Sequence, residues 1–99
     1  MSGWRYNFPA HYNVPAPDDR NALRAQVNKV LEEAREALEA VLDGESDARV
    51  DEELLDCVHA CETALRRRPA STIATESAGV VIKNDARGYY DGRGNEREG

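Results

Sequence analysis

Two stretches of this chain carry apolar residues at alternating spacings of three and four, and Asp43-Gly44 separates them. The first runs Leu23, Val27, Val30, Leu31, Ala34, Leu38, Val41, and the second Leu54, Leu55, Val58, Cys61, Leu65. That period belongs to an α-helix and conflicts with the two-residue alternation of a strand. Asp18 and Asp19 precede the first stretch as an N-cap and as negative charge at the positive end of the helix dipole. Asp43-Gly44 ends it, Glu45 to Arg49 form a polar connector, and Asp51 is expected to cap the second helix. That helix closes on Arg66-Arg67-Arg68, cations suited to its C-terminal dipole, before Pro69. Two amphipathic helices joined by so short a link form an antiparallel αα-hairpin.

A third helix is expected from Ser71 or Thr72 to about Arg87, although Thr72, Ile73, Thr75, Val80, Val81 and Ile82 favour strand. Glu76, Val80, Lys83 and Arg87 fall on a helical series, and Gly88-Tyr89-Tyr90 makes a stop, with the tyrosines expected to cap the core and ligand stacking as the alternative. Gly79 inside it weakens the helix by about 1 kcal/mol relative to Ala. Ahead of the hairpin, residues 1–17 form a non-helical arm holding Pro9, Pro15 and Pro17 together with Trp4, Tyr6, Phe8 and Tyr12. The helical domain then spans 18–90, and 91–99 is a polar, Gly-rich, mobile tail. A chain of 99 residues buries roughly two thirds of its unfolded surface, so its private core is small. The expected fold is all-α: an antiparallel hairpin plus a third C-terminal helix, packed into a helical-bundle dimer or tetramer.

Thirteen Lys and Arg against 19 Asp and Glu give a net charge of −6, which argues against a nucleic-acid binder. No apolar run is long enough to span a membrane and the N-terminus has no apolar leader core, so a cytoplasmic protein is expected. In that reducing setting Cys57 and Cys61 are read as small buried side chains; four apart on a helix, they are poorly placed for a disulfide. His59 lies between them, but on a helix it points roughly 160° from either, and a tetrahedral zinc site needs its ligands on one side. It is read as a surface or hairpin-edge residue, with support of the Asp56 carboxylate as the alternative.

The acids are more informative. At roughly 100° per residue, Glu33 and Glu36 lie about 130° to one side of the first apolar stripe, and Glu53 and Asp56 lie about 130° off the second on the same rotational side. In an antiparallel hairpin the two pairs either face each other across one groove or both face outward, and periodicity does not choose. Facing inward, four carboxylates need a cation, and clustered oxygen ligands suit Mg²⁺, or Mn²⁺, better than a thiolate-seeking metal. Facing outward, they belong to a solvated surface with i,i+4 pairs such as Lys29–Glu33 and Arg35–Glu39.

The segment Leu31-Glu32-Glu33-Ala34-Arg35-Glu36-Ala37-Leu38, followed by Asp51-Glu52-Glu53-Leu54-Leu55-Asp56, resembles the ExxE, spacer, ExxD signature of the MazG-like all-α nucleoside triphosphate pyrophosphohydrolases. Lys83-Asn84-Asp85-Ala86-Arg87 is similar to the Lys-Asn-x-x-Arg segment that closes many members, so the resemblance covers about residues 20–90. It implies a dimer or pair of dimers in which Glu33, Glu36, Glu53 and Asp56 hold Mg²⁺. A nucleoside triphosphate is then cleaved between its α and β phosphates to monophosphate and pyrophosphate. Lys83, Arg87 and Lys29 would meet the outer phosphates and Asn84 would donate a hydrogen bond. The chain departs from the pattern at Arg35, where many relatives carry a small residue; the helical wheel turns Arg35 away from both glutamates.

Trp4, Phe8 and Tyr12 offer rings for a nucleobase or for a partner subunit's helices. Two other functions share these residues: a non-catalytic helical oligomerisation or interaction module with the acids as surface, and a related phosphohydrolase acting on a phosphorylated nucleotide of the histidine pathway. The base and sugar are not specified by the sequence.

Overall fold

A computed structural model describes residues 7–92 of the protein. Three helices, α1 (Arg20–Leu42), α2 (Asp47–Leu65) and α3 (Ala70–Ala86), account for its regular structure, with no strand among the described residues. They fall into two compact units, residues 7–68 with α1 and α2, and residues 69–92 with α3. No helix among them is long and apolar enough to cross a membrane.

Local chemistry sets the boundaries. Asp19 caps α1 by accepting from the Ala22 N–H at 2.9 Å. Beyond Asp43 the chain turns through Gly44 at φ 71°, a left-handed conformation that a side chain disfavours. The cap of α2 is Ser46, whose hydroxyl accepts from the Arg49 N–H at 3.2 Å. The expected cap at Asp51 is therefore corrected: a serine beside the turn starts the helix as soon as the chain has reversed, and Arg49 is helical. Helix α3 begins at Ala70, after Pro69 with its preset φ, has no side-chain cap, and stops before Gly88 at φ 78°.

Helices α1 and α2 pack as an antiparallel hairpin. The Gln26 side-chain amide donates to the Ala60 carbonyl at 3.0 Å, and the Cys57 thiol lies 3.9 Å from the Val30 carbonyl. Residue 26 thus meets 60 and 30 meets 57, partner numbers falling as the first rise.

The packed faces are not those that apolar periodicity predicts. On α1 the buried residues are Gln26, Glu33, Ala37 and Ala40, and on α2 Glu53, Ala60, Glu62, Thr63 and Ala64. Val27, Leu31, Leu38, Val41, Leu54 and Leu55 are each at least half exposed. Small residues let two helix axes approach closely, and within the hairpin each helix covers only one face of the other, so much of the apolar stripe is not part of their seam. Cys57 and Cys61 are free thiols, half-buried rather than buried as expected. Burial first, then the neighbouring Cys57, raises the Cys61 thiol above the usual range. In the other unit Ile73 is buried, whereas Tyr89 and Tyr90 are more than half exposed instead of capping a core. The expected mobile tail lies almost wholly outside the described residues.

Candidate metal and ligand site

The hairpin buries one acid of each pair and leaves Glu36 and Asp56 exposed. Glu33 on α1 and Glu53 on α2 are each 7% exposed, and with exposed Asp56 they bring carboxylate oxygens within 4.8 Å of one another. Glu36 is not one of these three, yet it feels both helices. Its carboxyl is held above the usual glutamate range chiefly by Glu33, then by partial desolvation and by Glu53, with Lys29 opposing. Like charges gathered at one spot disfavour a further ionisation.

Each buried glutamate is paired with a cation one helical turn earlier. Lys29 Nζ lies 2.9 Å from Glu33 and 3.9 Å from Glu32. Arg49 reaches Glu53 at 2.6 Å through Nη2, Glu52 at 2.9 Å through Nη1 and Glu45 at 3.5 Å through Nε. The hydrogen bond to Glu33 is the main cause raising Lys29 above the ordinary lysine value; for Arg49 it is the bond to Glu52, followed by the charge of Glu53. Without another ion the cluster is thus partly neutralised from within. Its three converging donors are all carboxylate oxygens, with neither sulfur nor imidazole among them, and that donor set fits Mg²⁺ or Mn²⁺ rather than zinc.

A cavity of about 570 Å³ opens beside the acids, lined by Lys29, Glu33 and Asp56, by Gln26, His59 and Thr63, by three alanines, and by His11 and Asn13 of the arm. The arm is clasped to α2. The Glu62 carboxylate, 2% exposed, accepts from the backbone N–H of Asn7 at 2.9 and 3.0 Å and of Phe8 at 3.3 Å, while the Arg66 guanidinium donates to the Phe8 carbonyl. Arg66 therefore does more than complement a helix dipole, and Arg67 donates to the Ala64 carbonyl at 3.0 Å. Phe8 stacks on His59, ring centroids 4.6 Å apart and planes 17° apart. His59 is half-buried, and among the described residues its buried Nε2 has no hydrogen-bond partner and no bond joins it to Asp56.

Of the residues singled out from sequence, Glu33, Glu53 and Asp56 converge in the hairpin with Lys29 paired to Glu33, while Glu36 is exposed and outside that group. Lys83, Asn84 and Arg87 follow one another at the end of α3, in the other compact unit, and Trp4 lies outside the described residues. Arg35 is exposed. Sequence reasoning missed Arg49, taken for a connector residue, although it precedes Glu53 by the same four positions that separate Lys29 from Glu33. It also missed the lining by His11, Asn13, Gln26, His59 and Thr63, since no periodicity marks an arm folding back on a helix. Comparison with protein-family models, curated proteins and solved structures finds no match to this chain.

Proposed function

We propose that the protein is a Mg²⁺-dependent nucleoside triphosphate pyrophosphohydrolase, with Mn²⁺ able to substitute, converting an NTP or dNTP to its monophosphate and pyrophosphate. The observation that carries this reading is the convergence of Glu33, Glu53 and Asp56 from two helices to within 4.8 Å, beside a cavity of about 570 Å³ that falls in the size range of small-molecule sites. The resemblance to the MazG-like signature at these same positions supports it.

In this reading Glu33, Glu53 and Asp56 hold divalent ions, with Glu36 at the margin as the fourth acid. Bound ions supply charge neutralisation at the phosphates and a water of lowered pKa. Lys29, already on the cavity wall, meets phosphate oxygens; a phosphate role for Lys83, Asn84 and Arg87, which belong to the other compact unit, rests on the resemblance alone. The protein acts in the cytoplasm as a dimer or tetramer, the exposed face of Val27, Leu31, Leu38, Val41, Leu54 and Leu55 covered by another copy. Neither nucleic acid nor membrane is its partner.

That apolar face also favours a second reading, a helical interaction module without catalysis. Purified protein incubated with a panel of NTPs and dNTPs, with Mg²⁺ or with EDTA, separates the two when pyrophosphate and free phosphate are assayed apart. Metal-dependent pyrophosphate with the matching monophosphate is the expected result. Silence across the panel, together with no divalent-ion binding by calorimetry, supports the interaction module.

A further inference from the structure

The cavity is chemically divided along its length. In the antiparallel register, Lys29, Glu33 and Asp56 stand at one end, and Ala22, Ala25 and Gln26 face His59, Ala60 and Thr63 at the other, where the arm adds His11 and Asn13. The charged end has the chemistry of a metal and phosphate site. The other end carries only imidazoles, amides, a hydroxyl and alanines. At about 1.5 Å per residue the seven positions from Gln26 to Glu33 amount to about 10 Å and the three from Asp56 to His59 to about 4.5 Å, so both ends lie within the reach of one nucleotide.

The end away from the acids is ringed by aromatic groups in mutual contact. Phe8 stacks on His59 at 4.6 Å, His59 meets His11 edge-on at 6.1 Å and 66°, and His11 lies 4.6 Å from Tyr12. Phe8 does not line the cavity, whereas His59 and His11 do, so Phe8 backs the imidazole. The clasp of Glu62 and Arg66 on residues 7 and 8 keeps that backing in place. The buried Nε2 of His59 has no hydrogen-bond partner among the described residues, and leaving a buried nitrogen unpaired is costly. A ligand that engages it after a small turn of the ring relieves that cost.

We propose that the arm residues His11 and Asn13 and, on α2, His59 backed by Phe8 form a subsite for the heteroaromatic base of a nucleotide, with His59 as the residue that touches the base. This rests on the phosphohydrolase reading for the ligand's phosphate end, but the base subsite is testable without turnover. A flat ring with a hydrogen-bonding edge suits the place: it finds aromatic faces, which hold bases of any sequence, and donors and acceptors to sort them by.

The test uses the full chain, labelled with ¹³C in its histidine rings and titrated in EDTA with nucleoside monophosphates and, separately, with inorganic triphosphate. The histidine resonances are assigned with His59→Ala and His11→Ala. Expected are shifts of both rings with monophosphates, graded by base, and little response to triphosphate. In Mg²⁺, His59→Ala should weaken nucleotide binding about tenfold, the scale of one lost base contact, and raise KM more than it lowers kcat. His59→Gln should recover part of the loss, and Mn²⁺ binding should be unchanged. If His59→Ala fails to fold, judged by circular dichroism, His11→Ala on the exposed arm carries the same prediction. Rings that respond equally to inorganic triphosphate, rings indifferent to every monophosphate, or an unchanged ranking of bases in the variants would overturn the proposal. Ring shifts with bases in a protein that neither cleaves triphosphates nor binds Mn²⁺ would uphold the subsite and sink the hydrolase.

Discussion

Glu36 stands at the margin of the acidic cluster, where the charges of Glu33 and Glu53 and partial desolvation raise its carboxyl above the usual glutamate range. Because its carboxyl is held above the ordinary range, it binds its proton more tightly folded than unfolded. Folded stability from this group is therefore highest below the unfolded glutamate value and falls as pH rises through the raised value. Glu36→Gln is expected to raise the metal-free melting temperature by a few degrees near neutral pH, with the gain vanishing by about pH 4. Thermal melts across pH check this, and added Mg²⁺ should shrink the gain if the cluster holds an ion. No gain at neutral pH would mean that the cluster's repulsion does not reach Glu36. Glu53→Gln and Asp56→Asn address the function: either should lower Mg²⁺-dependent turnover by more than about a hundredfold, beyond the usual loss from altering a ligand's support, and weaken Mn²⁺ binding by calorimetry. Full activity in both would remove these acids from the site.

At the scale of the element, two glycines behave oppositely. Gly79 sits inside α3 with open space where a Cβ would go and no positive φ, so Gly79→Ala should stabilise the chain by about 1 kcal/mol in urea unfolding. Gly44 also has open space, but its φ of 71° makes Gly44→Ala destabilising by about 1–2 kcal/mol. Both residues were legible beforehand, Gly44 as a helix stop and Gly79 as a weak point, because these effects depend on backbone conformation more than on neighbours. The α2 start was less legible. Ser46, Asp47 and Asp51 are all competent caps by residue type, and the choice of Ser46 follows from how tightly the chain turns after Gly44.

For the whole molecule, the outward apolar face decides the expected behaviour in solution. Light scattering should give a mass of two or four times 11.0 kDa, and Leu31→Glu combined with Leu38→Glu should reduce it to one. A wild-type monomer would leave that face without the occupant proposed for it.

Periodicity, caps and breakers are local, and three helices, their approximate ends and a hairpin of the first two follow from them directly. The same arithmetic put Glu33 with Glu36 and Glu53 with Asp56 on matching sides of their helices. It did not say which side meets the partner, because a wheel has no external reference. Within the single chain much of the larger apolar stripe stays exposed, while Leu23, Val30, Cys61 and Leu65 are half-buried. Only the tertiary structure decided that alanines, with Gln26, Glu33 and Glu53, form the packed seam, since close approach depends on how two surfaces fit rather than on how apolar either is. It alone joined the arm to the site: the bonds from Asn7 and Phe8 to Glu62 span more than fifty residues of sequence, and no local pattern encodes a contact of that range.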